Sequence, residues 1–296
     1  IPEAIEAILI GQSRMEPKVA VLKPLSSAIV IGTGGPFGAE GPIIMTGGAI
    51  GSLIAQAFHL SPAERKTLLV AGAAAGMSAI FATPLAAVLL AVELLLFEWK
   101  PRSFIPVAIA VAVAWGLRRP LLGTGPLFPV APHATLSEAA LTGSLVLGLI
   151  AGFASVALTR LVYACEDLFR KVPLHFMWWP AIGGVVIGLG GLIEPRALGV
   201  GYDVIGQLLS GHLVGAFLIG FLIVKAVIWS IALGSGTSGG VLAPLLLMGG
   251  ALGALGSQYV SVGDARSVGH DRNGRDHGRN NARPAHRRRV PRGAHP

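Results

Sequence analysis

The 296-residue sequence contains few of the residues that secreted, soluble or disordered proteins depend on. Its single cysteine, Cys165, excludes a disulfide-stapled fold and is interpreted as an inert apolar residue. Charged residues make up only 13% of the chain, about half the usual share of a soluble domain. Hydrophobic residues reach 53%, and 41 glycines are present. This composition excludes an ordinary soluble enzyme and predicts a polytopic membrane protein whose small residues permit close helix packing.

The net charge of +8 is concentrated at one end of the chain. Residues 1–265 hold 14 basic and 13 acidic residues, whereas residues 266–296 hold 9 basic and 2 acidic residues. The last 31 residues therefore form a basic tail that lacks any hydrophobic period. A solvated arm that touches anionic lipid or nucleic acid is one interpretation of such a tail.

A frameshift is the interpretation that we prefer for this tail. Four of its residues have His or Asn codons followed by a codon that begins with G, so the next frame reads Met or Thr there: His270, Asn273, His277 and Asn281. With free third bases, the shifted frame from Val268 reads WAMIGMAAIMGGTMRAPLTAVVF, which is apolar and rich in glycine. We therefore divide the chain into a membrane domain, 1–265, and a disordered, frameshifted tail, 266–296, and predict no nucleic-acid partner. The start at Ile1, without Met, is taken to indicate a truncated N-terminus.

Apolar stretches that approach the roughly 20 residues of a membrane-spanning helix follow one another through the first 265 residues. They cover 19–31, 43–60, 67–97, 103–117, 141–163, 176–193, 214–233 and 241–260. Pro84 is expected to divide 67–97 into two helices. A loop is expected at 118–133, and the short polar links leave no room for a separate soluble domain.

An internal repeat relates the two halves of the chain at a constant offset of 202 residues. The segment 32–51 reads GTGGPFGAEGPIIMTGGAIG, and 234–253 reads GSGTSGGVLAPLLLMGGALG. Eight of the twenty positions are identical: Gly32/Gly234, Gly34/Gly236, Gly38/Gly240, Pro42/Pro244, Gly47/Gly249, Gly48/Gly250, Ala49/Ala251 and Gly51/Gly253. Each copy combines a glycine-rich loop with a proline in the first turn of an apolar helix. Interrupted segments in corresponding halves of a membrane protein point to a transport site.

Two such helix starts provide the chemistry of an anion site without any lysine or arginine. Each offers unpaired backbone N–H groups and about half a positive charge from the helix dipole. Within a membrane this favours a small anion and avoids the cost of a fixed full charge. Glu40 lies in the first loop, where its carboxylate can take the place of a free anion until a proton neutralises it. A plain helix-capping role for Glu40 is the alternative, and the spacing does not decide between them.

Several motifs resemble those of the CLC chloride channel and chloride/proton antiporter family. GAEGP at 38–42 resembles its GxEGP motif, and GGVLAP at 239–244 resembles part of its GxxGGxFxP motif. The segment 72–93 and the opening Ile-Pro-Glu also resemble family segments, in the family's order. The shifted-frame string GMAA…RAPLT resembles the segment that follows them. The resemblance covers essentially all of residues 1–265.

The resemblance implies an all-α integral membrane protein with inverted repeats and tilted, broken helices. It implies a homodimer with one chloride pore per subunit, surrounded by lipid in a bacterial inner membrane. Glu40 corresponds to the gating glutamate, and the motif positions are Gly38, Pro42, Gly239, Gly240 and Pro244. The amides of Val241 and Leu242 correspond to those at the central anion site. The amides around Ala39 and Gly41 correspond to an outer site.

Some positions depart from the family pattern. Ala39 replaces a common Arg or Lys, and Leu242 replaces the usual Phe. Glu93 matches the first of two acidic residues found in many antiporters and is a candidate for proton movement or for a structural role. Leu94 stands where the second acidic residue, a proton relay, would be, which weakens the antiporter interpretation.

The expected function is therefore chloride transport through a pore gated by Glu40, either as a channel or as a proton-coupled antiporter, without a cofactor. A non-functional fragment of such a transporter is the alternative. The histidines show no metal-ligand spacing, and no cluster indicates a membrane-embedded enzyme. Lys225, within an apolar stretch, is expected either to snorkel or to neutralise a carboxylate.

Overall fold

The computed structural model describes residues 2–125, 127–128 and 138–271, and these are helical, with a single isolated β-bridge. Eleven α-helices occur in this part of the chain: α1 Pro2–Leu9, α2 Pro17–Gly32, α3 Glu40–Ala57, α4 Pro62–Phe81, α5 Pro84–Ala91, α6 Pro101–Leu122, α7 Glu138–Lys171, α8 Trp179–Ile193, α9 Tyr202–Leu209, α10 Phe217–Gly234 and α11 Leu242–Asp271. A π-helical turn, Val92–Leu96, follows α5, and short 3₁₀ turns occupy Phe176–Trp178 and Pro195–Ala197. The all-α prediction is confirmed.

Several of these helices are long and apolar enough to cross a membrane. Among the described residues four qualify: Pro101–Leu122, Ala140–Lys171, Phe176–Ile193 and Phe217–Gly234. On α7 large apolar side chains such as Leu145 and Phe153 point outward, and each is more than 70% exposed. Such a surface suits lipid, since hydrocarbon replaces the protein interior as the apolar environment.

Proline positions explain two boundaries. Helix α4 ends at Phe81, Ala82 takes a left-handed conformation (φ 57°), and Pro84 opens α5. The predicted break of 67–97 is confirmed, because proline cannot continue the hydrogen-bond ladder of α4 but fits the first turn of α5. The loop predicted from Arg118 was placed too early, since α6 continues to Leu122. The end of that predicted loop lies outside the described residues.

The predicted domain boundary at residue 265 does not coincide with a helix end. Helix α11 continues without interruption to Asp271. Residues 272–296 lie outside the described residues, and the frameshifted origin of the tail stays a prediction. Helix α7 is also longer than the predicted 141–163.

Close backbone contacts hold α3 against α4. A Cβ added at Gly47 would meet the carbonyl oxygen of Gly72, and one added at Gly72 would meet the carbonyl oxygen of Gly47. One turn along, Gly51 faces the carbonyl oxygen of Leu68 in the same way. The helix axes approach this closely only because no side chain stands between them, as in small-residue packing within membranes. Helix α3 is therefore rigidly placed, and it carries Glu40 at its first position.

The internal repeat is larger than the sequence comparison predicted. Three helices, α1, α2 and α3, start at residues 2, 17 and 40, and the three helices α9, α10 and α11 start at residues 202, 217 and 242. A unit of three helices therefore occurs twice, with an offset of 200 to 202 residues. Helices α1 and α9, with eight residues each, were not predicted, because they are too short to register as membrane spans.

A candidate anion site at two helix N-termini

The two glycine-rich loops have the same backbone conformation. Helices α2 and α10 each end two residues before a glycine in the left-handed region, Gly34 (φ 98°) and Gly236 (φ 76°). The next residue in each loop closes the turn, since Gly35 donates to the carbonyl of Val30 and Thr237 donates to the carbonyl of Ala232. Glycine suits this position because a side chain would make a positive φ costly.

The loops meet at Gly38 and Gly240, which are equivalent positions of the repeat. The amide of Gly38 donates to the carbonyl of Gly240 at 3.0 Å, and the amide of Gly240 donates to the carbonyl of Gly38 at 2.8 Å. The two segments run antiparallel at this bridge. Helices α3 and α11 begin two residues later in each chain segment, so their N-termini lie side by side.

The side chain of Glu40 connects the two helix starts. It is buried, with 2% exposure, and its Oε1 accepts a hydrogen bond from the amide of Ala243 at 2.8 Å. Ala243 is the second residue of α11. The carboxylate thus lies at the positive end of the other helix of the pair, where anions are favoured. This contact exceeds a simple capping role within α3.

The second carboxylate oxygen has no partner in the part of the chain that the structure describes. Glu40 Oε2 is buried without a hydrogen bond. A Cβ atom added at Gly38 or Gly240 would overlap the Glu40 carboxylate. Glycine at both positions therefore leaves the space that this carboxylate fills. An ionised carboxylate accepts several hydrogen bonds, and an unpaired oxygen in a buried position marks a place for a proton, water or another ligand.

A cavity of about 350 Å³ opens beside this carboxylate. It brings together most of the positions predicted for the anion path, and these lining residues are Glu40, Gly41, Gly239, Gly240, Val241 and Leu242. Two charged side chains on other helices line it as well, Lys23 on α2 and Glu166 on α7. The cavity therefore combines two helix starts, one cation and two carboxylates.

The remaining predicted positions are not among the residues that line this cavity. Ala39 and Pro42 line a separate apolar groove of about 420 Å³ on α3, while Gly38 and Pro244 are buried. Glu93 is exposed on the π-helical turn, and Leu94 beside it is 38% exposed. Neither is among the described residues that line the cavity at Glu40. The structure thus separates Glu93 from the candidate site.

Sequence reasoning missed three residues of the site, namely Ala243, Lys23 and Glu166. Ala243 has no polar side chain, and its amide is identified only by its place in the first turn of α11. Lys23 was visible as a charge near an apolar stretch, and Glu166 as a charge near the end of a long one. No motif connects α2 or α7 to the loops, so their contribution required the fold.

Lys225 plays neither of the two roles expected for it. Its side chain is fully buried, so it does not snorkel, and its Nζ donates to the carbonyls of Ala197 at 2.8 Å and Gly199 at 3.0 Å. The amide of Gly199 in turn donates to the carbonyl of Gly34 at 2.9 Å. Lys225 therefore fixes a turn that supports the first glycine-rich loop.

Features outside this cavity add no predicted site residue. A larger groove of about 710 Å³ lies between the start of α4 and the start of α6, and no predicted site residue is among its described lining residues. No group of three or more metal-ligating side chains occurs among the described residues. Of the histidines, His133 lies outside the described residues. Cys165 is buried, as expected of an apolar residue.

The amino-acid sequence matches one family model and a group of curated relatives that agree with each other. The family model described as Voltage gated chloride channel matches residues 1–268. The H(+)/Cl(-) exchange transporters ClcA of Salmonella arizonae and Salmonella paratyphi B are each 32% identical to the chain over 254 residues. The match covers 83% of this chain and 53% of each relative, so the chain spans about half the length of these curated relatives.

Solved structures share the fold. A crystal structure of a CLC-type fluoride/proton antiporter superposes with a TM-score of 0.74 at 21% identity, covering 85% of this chain and 64% of that one. The structure of a slow cyanobacterial Cl-/H+ antiporter superposes with a TM-score of 0.66 at 20% identity, covering 82% and 62%. At these identities the likeness establishes the arrangement of helices.

Proposed function

The chain belongs to the voltage-gated chloride channel family, and we propose that it moves chloride across a membrane through the cavity beside Glu40, in exchange for protons. The observation that carries this proposal is the hydrogen bond from the Ala243 amide to the Glu40 carboxylate at the start of α11. In this hydrogen bond the Glu40 carboxylate, an anion tethered to the chain, occupies a place that suits a free anion. The names of the exchange transporters that the chain resembles support proton coupling.

The proposed gate works by competition for the same amides. A hydrogen bond to a charged group stabilises by about 1.5–3 kcal/mol, which corresponds to roughly a 10- to 150-fold preference. Chloride near the helix starts competes with the carboxylate within this range. Protonation of Glu40 removes the negative charge and weakens its attraction to the helix dipole. The side chain then leaves, and the amides become available to chloride.

Lys23 and the two helix dipoles supply the attraction that chloride needs in the cavity. The dipoles act without a full charge at the binding point, so the anion is bound weakly enough to leave again. This mechanism uses no cofactor, and chloride is the cargo. The candidate membrane spans and the Salmonella relatives support a bacterial inner membrane as the location, and the homodimer is what the resemblance of the motifs to the family implies.

Chloride efflux from liposomes containing the 296-residue chain tests the proposal. Wild-type protein is expected to release chloride well above the rate of protein-free liposomes, with a rate that depends on pH. Glu40→Ala is expected to abolish that pH dependence and to raise the rate, because the amides lose their tethered competitor. Glu138→Gln, an exposed carboxylate at the start of α7, is the matched control and should resemble the wild type.

Two results would contradict the proposal. Unchanged flux and unchanged pH dependence in Glu40→Ala would exclude the gating role. Folded protein that releases no chloride would favour the non-functional fragment instead. Proton movement driven by a chloride gradient separates an exchanger from a channel.

A further inference from the structure

Proton exchange requires a route to a carboxylate that solvent barely reaches. Glu40 is 2% exposed, and its Oε2 has no hydrogen-bond partner among the described residues. The 350 Å³ cavity that this side chain lines offers such a route from an aqueous side to Oε2. At about 30 Å³ per molecule, this volume holds roughly ten waters, enough for a hydrogen-bonded chain.

Glu166 is the other carboxylate among the described residues that line this cavity. It is half-buried on α7, whereas its neighbour Asp167 has a side chain that is 66% exposed. A glutamate at such a position borders both the cavity and solvent. The residue is also firmly placed, because a Cβ at Gly234 of α10 would approach the Glu166 amide nitrogen to 3.0 Å. The backbones of α7 and α10 are therefore in contact at this point.

The charges around Glu166 are few. Lys23 of α2 and Glu40 of α3 line the same cavity. On α10 the charged residue is Lys225, which is bonded to backbone carbonyls. Helix α11 has no charged residue from Leu242 to Gln258, and Arg170, one turn along α7, lies 3.4 Å from Asp167.

We propose that Glu166 is the proton-binding residue that exchanges protons with Glu40 across the cavity. In one direction, the O–H bond of a protonated Glu166 breaks, protons move along the water chain, and an O–H bond forms on Glu40 Oε2. Glu166 is left ionised and takes the next proton from solvent. The reverse sequence returns a proton in the other direction. Each step conserves charge and needs no further reactant.

The proposal rests on the proposed chloride transport, and its test measures both ions. The 296-residue chain in liposomes is given a chloride gradient, a potassium ionophore clamps the membrane potential, and chloride and proton movements are recorded together. The proton-to-chloride ratio of Glu166→Gln is expected to fall at least tenfold while chloride movement remains. Glu166→Asp keeps a carboxylate and is expected to keep the ratio within about twofold. Asp167→Asn, the exposed neighbour, is the matched control.

The possible outcomes separate the two proposals. An unchanged proton-to-chloride ratio in Glu166→Gln would overturn the role of Glu166. Wild-type protein that moves chloride without protons would overturn it too. Both results would leave the proposed chloride transport intact. Wild-type protein without chloride flux would overturn the proposed function and the role of Glu166 with it. Glu166→Ala provides a second neutral variant should Glu166→Gln not fold, and a preserved ratio in it would equally overturn the proposal.

Discussion

Gly38 and Gly240 donate hydrogen bonds to each other's carbonyls, at 3.0 and 2.8 Å, and they are the same position of the repeat 202 residues apart. An antiparallel bridge has a local two-fold axis between its two residues, and the equivalence of these residues in the repeat extends that axis to the helices that follow them. The axis relates α3 to α11, and it places their N-termini at one point. The carboxylate is not repeated, because the position equivalent to Glu40 is Leu242. One carboxylate thus serves two helix starts.

The first prediction concerns the space at this axis. In Gly240→Ala the new Cβ would overlap Glu40 Oε2 and lie 2.6 Å from the carbonyl oxygen of Gly38. The carboxylate must then leave the Ala243 amide. We expect chloride flux to lose its pH dependence, as in Glu40→Ala, and stability to fall by about 1–3 kcal/mol from overpacking.

Gly249→Ala is the matched control for this variant. Gly249 lies on α11 with no heavy atom within 4 Å of an added Cβ, and alanine is favoured over glycine in a helix by about 1 kcal/mol. Flux and its pH dependence should be unchanged. A Gly240→Ala protein with wild-type pH dependence would show that the carboxylate does not need this space.

The second prediction concerns the contact between α3 and α4. Gly72→Ala would place a methyl group against the carbonyl of Gly47 and force the helices apart. We expect the free energy of unfolding to fall by about 1–3 kcal/mol, measured by denaturation in detergent. Gly188→Ala on the exposed face of α8 meets no atom within 4 Å and should not lose stability. Equal stability of the two variants would contradict backbone contact between α3 and α4.

The sequence predicted the parts of this architecture that follow local rules. Proline at the first turn and glycine after a helix placed the starts of α3 and α11, and the offset of 202 identified the two loops as equivalents. Glu40 was expected at the start of the first of these helices, whereas its burial and its bond to the Ala243 amide were not predicted. Helices α1 and α9 were missed, because eight residues leave no apolar span to detect.

Contacts between distant helices were not predictable from local rules. Glu166 and Glu40 are 126 positions apart, and neither spacing nor composition shows that they share a cavity. Lys225 was expected to reach lipid headgroups or a carboxylate, and both expectations were wrong. Its partners are backbone carbonyls, which every residue possesses, so they leave no trace in the sequence. Such contacts depend on where helices cross.

The third prediction concerns Ser52, whose buried hydroxyl ties the segment before α2 to α3. Its Oγ donates to the carbonyl of Ser13 at 2.6 Å and accepts from the amide of Met15 at 3.1 Å. Ser52→Ala leaves both backbone groups buried without these partners, and each unpaired group costs about 1–3 kcal/mol. We expect a loss of at least about 2 kcal/mol in unfolding free energy, with chloride flux per folded protein little changed.

Ser144→Ala tests whether that loss comes from burial. The Ser144 hydroxyl also donates to a backbone carbonyl, that of Leu141, but it lies on the exposed face of α7. Alanine there removes one weak local bond and improves helix propensity, so stability should stay within about 0.5 kcal/mol of the wild type. Equal losses of unfolding free energy in Ser52→Ala and Ser144→Ala would show that burial of the Ser52 hydroxyl adds nothing. The Ser13–Met15 turn would then not depend on Ser52. A loss confined to Ser52→Ala would show that this turn, which leads into α2 and thus to Lys23 and the first glycine-rich loop, is fixed by a side chain of the helix that carries Glu40.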